Sequence, residues 1–176
     1  MPLLIRGIFV AQHTYMKEQK FEFEYEIYNN ISELNKEDAD LLTKARTVTK
    51  QAYAPYSNFF VGAVARLNNG ETVAGTNQEN ASYPVGICAE RVLLGSAATL
   101  YPGVSIDTMA ISYDSKDVKS DHPISPCGMC RQSLLEYETR TEKPIRLILA
   151  GQEGKIYIVK TVSYLLPFAF TSGELL

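Results

Sequence analysis

Apolar and acidic residues alternate without a break over residues 21–27, which read Phe-Glu-Phe-Glu-Tyr-Glu-Ile. A period of two predicts a strand with four apolar side chains on one face and three glutamates on the other. At a sheet margin those glutamates discourage pairing with another edge. The period then changes. Over residues 35–53, Ala39, Leu41, Leu42, Ala45, Val48 and Ala52 recur at helical spacing, with Asn35 placed as N-cap and Glu37, Asp38 and Asp40 near the positive end of the helix dipole. This first helix ends before Pro55.

Residues 59–67 are rich in Phe, Val and Ala, Asn68-Asn69-Gly70 suits a turn with positive φ, and residues 71–76 continue as a second strand, so the stretch reads as a hairpin. Residues 87–101 are apolar on several faces, which predicts a buried helix, and Pro102-Gly103 stops it. A strand over 106–113, an exposed loop over 114–125 and a helix over 127–137 opened by Pro126 come next. Strands over 146–150 and 155–162, joined by Gly151-Gln152-Glu153-Gly154, and a short helical piece over 163–166 complete the pattern. Strands alternating with helices after an initial hairpin imply a layered α/β domain with a mixed sheet.

The chain has 176 residues and 45% hydrophobic content, enough for one core. We read residues 1–30 as an extension able to add a strand and residues 31–176 as the domain proper. With 17 basic against 20 acidic residues, the net charge of −3 offers no general attraction for phosphate backbones, so nucleic acid is not expected as a partner. The first ten residues are apolar with one Arg, but no small-residue cleavage signal follows and no run reaches membrane length. Neither secretion nor a membrane is expected. Met16, followed by Lys17-Glu18-Gln19-Lys20, marks an alternative start, with residues 1–15 as an upstream reading or loose arm; the N-terminal mass of the natural protein tests this.

The three cysteines all fall in two short segments, Cys88-Ala89-Glu90 and Pro126-Cys127-Gly128-Met129-Cys130. Used as ligands, they leave none for a disulfide, which fits a reducing cytoplasm. Thiolates suit zinc, and three protein ligands leave a fourth position for water, the arrangement of a catalytic site. Glu90, two residues after a ligand, is read as general acid/base and not as a further ligand. Cys88 and the Cys127/Cys130 pair fall at predicted helix N-termini, where backbone N–H groups and the helix dipole stabilise thiolates. Arg91, three residues after Cys88, and Arg131, directly after Cys130, are placed to offset the net negative charge of three thiolates on one zinc ion by hydrogen bonding to sulfur. C-x-E followed some forty residues later by P-C-x-x-C is the zinc nucleobase deaminase pattern with Cys in the first ligand position.

Together these residues resemble the cytidine deaminases, in their small homotetrameric zinc form. Ala54-Pro55-Tyr56-Ser57-Asn58-Phe59-Phe60-Val61-Gly62-Ala63 is similar to the family's (A/V)-P-Y-S-x-F-x-V-G-A segment, and Asn77-Gln78-Glu79-Asn80 to its N-x-E-N. Ser125 to Gln132 is nearly the family's form, and Leu165-Leu166-Pro167-Phe168-Ala169-Phe170 is similar to its C-terminal L-L-P-x-A-F. The resemblance implies a three-layer α/β/α fold with about five strands, one zinc per chain and hydrolytic deamination of cytidine or deoxycytidine. It also implies that Phe59 packs on the pyrimidine, that Asn77 and Glu79 bind the ribose hydroxyls, that the backbone at Ala89 meets the base amide, and that Phe170 reaches an active site of the assembled oligomer. Residues 1–35 are longer than the family's usual start. Three alternatives stand beside this reading: a blasticidin-type aminonucleoside deaminase, a structural zinc knuckle with His122 as fourth ligand, and a thioredoxin-like redox pair at Cys127 and Cys130.

Overall fold

In the computed structural model, which describes residues 17–175, Asn35 opens the first helix as its position predicts: its side-chain oxygen accepts the N–H of Asp38 at 2.9 Å. Helix α1 runs Lys36–Val48 and buries Leu41, Leu42 and Ala45. It stops short of residue 53 because the chain tightens into a 3-10 turn at Thr49–Gln51, where the Thr49 hydroxyl donates to the Arg46 carbonyl at 2.7 Å.

Strands β2 (Phe59–Leu67) and β3 (Thr72–Thr76) form the predicted hairpin, closed by Gly70 at φ +87°. With β1 (Tyr25–Tyr28), β4 (Ile106–Ser115), β5 (Arg146–Ala150) and β6 (Ile156–Val159) they make one sheet in the order β1-β6-β5-β4-β2-β3. β4 and β5 are parallel, joined through helix α3 (Gly128–Thr141); the other neighbours are antiparallel. Helix α1 covers one face, where Leu42 and Ala45 pack with Val64, Ile148 and Ile158. On the other, Leu93 and Ala97 of α2 (Ala89–Leu100) and Leu134 of α3 pack with Ala63, Met109 and Leu147. The result is the expected three-layer α/β/α sandwich with a mixed sheet.

The sheet has six strands where about five were expected, and the additional one is β1 on the open edge of β6. Its ladder is shorter than the alternation predicts, because β6 offers four residues for pairing, Ile156–Val159. Nor is its apolar face buried. Tyr25 and Ile27 pair with Val159 and Tyr157, on the α3 side of the sheet, yet Phe21, Phe23, Tyr25 and Ile27 remain 40–53% exposed. The alternative start at Met16 lies outside the described residues. Among the described residues no helix is long and apolar enough to cross a membrane.

Two consequences position the chemistry. β3 and β4 both finish at the same end of the sheet, since each runs antiparallel to β2. The chain then climbs from that end into α2 and α3, so both helices start there.

Candidate active site

After β3 the backbone stays extended through residues 77–79 and is clipped on both sides. Tyr53 N–H donates to Asn77 O at 3.0 Å and Glu79 N–H to Tyr53 O at 2.8 Å, while Gln78 and Ile87 exchange two bonds at 2.9 and 3.0 Å. Asn77 and Glu79 therefore share the face opposite Gln78. Cys88 follows Ile87 directly as N-cap of α2. The first turn of α2 lies against β3 at Gly75, where a Cβ would stand 2.4 Å from the Ala89 carbonyl oxygen and 2.5 Å from Leu93 N. Only glycine permits that approach. From β4 the chain returns to Cys127, the N-cap of α3.

The three sulfurs converge, all within 4.8 Å of one another. Cys88 and Cys127 Sγ are 3.8 Å apart. A tetrahedral site with metal–sulfur bonds of ~2.3 Å has sulfur–sulfur edges of roughly 3.8 Å, which the Cys88–Cys127 pair meets, and three converging thiols are a donor set that fits zinc in chemistry. Among the described residues no fourth His, Cys, Asp or Glu joins the group. His122 in particular is turned onto Tyr113, its ring edge-on at 5.7 Å and its Nδ1 3.2 Å from the Tyr113 hydroxyl and from Asp121 Oδ1. The cysteines are free thiols, with Cys130 buried and Cys127 exposed.

Electrostatics divides them. A hydrogen bond from Cys130 draws the Cys88 thiol down to about 6, against the opposing effects of burial and of Glu90; Cys127 and the positive charge of Arg91 help. Cys130, the buried donor, is pushed up by that same bond, by burial and by Glu90. Glu90, in the first turn of α2, is 5% exposed, and burial pushes its carboxyl above the usual range. The corner thus holds a soft-metal donor set beside a carboxyl disposed to take up a proton.

Ala89 is fully buried at the start of α2, where its N–H has no intrahelical acceptor. Phe59 stacks on Tyr113, centroids 4.8 Å apart. The Asn77 amide braces β2, accepting Val61 N–H at 2.7 Å and donating to the Phe59 carbonyl at 2.9 Å, with one donor and one acceptor position left on it. Glu79 accepts Tyr56 and Ser57 N–H groups on Oε2, at 2.8 and 3.3 Å. Slight burial acts to raise its pKa, but the bonds from Ser57 and Tyr56 hold the carboxyl below its ordinary value. A cavity of about 380 Å³ opens beside it, lined by Tyr56, Ser57, Asn80, Tyr83 and Gly86.

Arg131 is not bonded to sulfur: its Nε donates to Pro126 O at 2.8 Å and its Nη1 to Leu165 O at 3.1 Å, fixing the metal loop and the C-terminal segment together. Phe170 stands at the surface, 60% exposed, its carbonyl accepting Gln132 Nε2 at 2.8 Å. No motif in the sequence marks Gly75 or Tyr113. A glycine inside a strand is the signal that marks Gly75, whereas Tyr113 reads as one more apolar strand residue.

Residues 35–143 match the family described as cytidine and deoxycytidylate deaminase zinc-binding region. The chain is 38% identical over 135 residues to a cytidine deaminase of Halalkalibacterium halodurans, covering 77% of this chain and 95% of that protein. It is 40% identical over 131 residues to one of Mycoplasma pneumoniae, covering 74% and 92%. The crystal structure of cytidine deaminase from Burkholderia pseudomallei superposes with a TM-score of 0.64 at 36% identity, covering 74% of this chain and 97% of that one.

Proposed function

This chain belongs to the cytidine and deoxycytidylate deaminase family, and on that footing we propose that it hydrolyses cytidine and deoxycytidine to uridine and deoxyuridine with release of ammonia. The observation that carries the proposal is the buried Glu90 carboxyl beside three converging cysteine sulfurs. Zinc held by Cys88, Cys127 and Cys130 supplies, when bound, an activated water as nucleophile for C4 of the pyrimidine.

Glu90 takes the proton that this water gives up and passes it to ring N3. It then takes the second proton from the new C4 hydroxyl and delivers it to the exocyclic nitrogen, which leaves as ammonia while C4 keeps the oxygen as its carbonyl. Water and substrate go in, and the keto pyrimidine and ammonia come out. Burial suits Glu90 to this because a carboxyl in a dry site takes and returns protons nearer neutral pH. The remaining positions bind: Phe59 against the base, the Ala89 backbone at the base amide, and Asn77 and Glu79 at the ribose hydroxyls. The unused Oε1 of Glu79 and the spare donor and acceptor of Asn77 support that assignment. Arg91 lies close enough to favour the Cys88 thiolate, and Arg131 holds the loop that carries Cys127.

The exposed Phe170 supports a homotetramer in which its ring completes the site of a neighbouring subunit. Three free cysteines gathered at one site support a cytoplasmic location.

The test is an assay of purified protein with cytidine, following loss of the cytosine absorbance, with zinc measured per chain. Turnover with about one zinc per chain, both removed by a chelator, is the expected result. Zinc without turnover of cytidine or deoxycytidine overturns the substrate assignment and directs the assay to blasticidin-like aminonucleosides.

A further inference from the structure

Phe59 is the first residue of β2, and Tyr113 stands near the end of the neighbouring strand β4, where Phe59 pairs with Ser115 and Val61 with Tyr113. Both side chains project to the α2/α3 face. Along β2 this follows from Val61, Ala63 and Ala65, and along β4 from Met109 and Ile111, all of which pack in that core. The two rings are stacked, 4.8 Å between centroids and 14° from parallel.

Tyr113 cannot move aside. It is fully buried. Its hydroxyl lies 3.3 Å from the Lys119 carbonyl and 3.2 Å from His122 Nδ1, its carbonyl accepts Gln152 Nε2 at 3.2 Å, and the His122 ring stands edge-on to it. One face of Phe59 is thus covered by a ring held from several sides, while Phe59 itself remains partly exposed. A base meeting Phe59 must use its other face or its edge.

We infer that Tyr113 is the positioning residue that holds Phe59 at the angle at which it receives the pyrimidine. The inference rests on the reading of Phe59 as the base-packing residue. Tyr113 touches no substrate and acts through the stacked ring, so it governs binding and leaves the proton transfers of Glu90 alone.

Tyr113→Leu is expected to raise KM for cytidine about tenfold, the upper range of an aromatic pair, with kcat within about twofold and zinc content unchanged. Tyr113→Phe keeps the ring and restores KM to within about twofold. In a Phe59→Ala background Tyr113→Leu adds less than about twofold to KM, since the ring it supports is gone. A wild-type KM in Tyr113→Leu, equal damage in Tyr113→Phe, or a full effect in the Phe59→Ala background overturns the inference.

A second measurement is read first in the wild-type protein. With tyrosines ring-labelled with carbon-13 and the Tyr113 signal assigned through Tyr113→Phe, saturating uridine shifts that signal in the wild-type protein and leaves it in place in Phe59→Ala. A signal that does not move in active wild-type enzyme overturns the inference, whereas wild-type protein with no cytidine turnover overturns the pocket reading beneath it.

Discussion

Cys88 and Cys127 hold their sulfurs 3.8 Å apart across 39 positions of sequence, each as the N-cap of its own helix. Two helix starts are therefore tied at one point, and a metal bound there joins α2 to α3. Cys127→Ala is expected to lose zinc and to lower stability by several kcal/mol, about 10 °C in melting temperature for a chain of this size. Metal analysis and thermal unfolding check this. A variant that stays fully metallated and melts with the wild type would remove Cys127 from the ligand set.

Glu90→Gln keeps the shape of the side chain and takes away its proton chemistry. Turnover of cytidine should fall by ~10²–10⁴-fold while zinc content and fold are retained. Burial raises the Glu90 pKa, so the ionised carboxylate is disfavoured in the fold. For that reason the neutral glutamine is not expected to destabilise the protein. Steady-state kinetics beside metal analysis distinguishes the cases: substantial remaining turnover excludes Glu90 as the proton carrier, and lost zinc would make it a ligand or a brace for one.

The chemistry was more legible in the sequence than its support. Metal ligands and their neighbouring carboxylate are constrained residue by residue, so C-x-E and P-C-x-x-C announce the site before any fold is known. The hairpin, the three helices and the strand-helix-strand order of β4, α3 and β5 follow from period and breakers, while the parallel pairing of β4 with β5 is seen in the fold. What stayed hidden depends on tertiary placement. Alternation at residues 21–27 predicts a strand but cannot say that the helix layer ends before reaching it, which leaves Phe21, Phe23, Tyr25 and Ile27 exposed. Adjacency in sequence suggested that Arg131 bonds sulfur, yet its guanidinium is taken by two carbonyls, one of them 34 residues away.

Gly75 carries a prediction about metal binding at a distance from the metal. A Cβ there would stand 2.4 Å from the Ala89 carbonyl oxygen and 2.5 Å from Leu93 N, both backbone atoms of α2. Neither can yield without shifting the helix that begins at Cys88. Gly75→Ala should therefore weaken zinc retention during dialysis against a chelator and cost roughly 1–3 kcal/mol of stability. Zinc retention equal to wild type would show that α2 can move while its first turn keeps the ligand in place.

Asp38 and Arg146 join the helix on one face to the middle of the sheet. Arg146 donates to both carboxylate oxygens, Nη1 to Oδ1 and Nη2 to Oδ2, each at 2.7 Å, and Asn35 adds a third bond at 2.8 Å. Burial of Asp38 works to raise its pKa, but the hydrogen bonds and charge of Arg146 outweigh it, and the pKa is lowered. A depressed carboxylate pKa contributes stability that is present above the unfolded value of ~3.9 and is lost as pH falls through the folded value. Asp38→Asn should thus cost about 2–4 kcal/mol at pH 7, because it leaves the guanidinium half-buried without its counter-charge. The gap between variant and wild type should narrow as pH drops below ~4, where the unfolded chain takes up a proton that the folded carboxylate does not yet take, and close once pH has fallen through the lower folded value. Denaturant unfolding at a series of pH values measures this directly. A deficit of the same size at low pH and at pH 7 would mean that the pair acts through shape and hydrogen-bond count, not through charge.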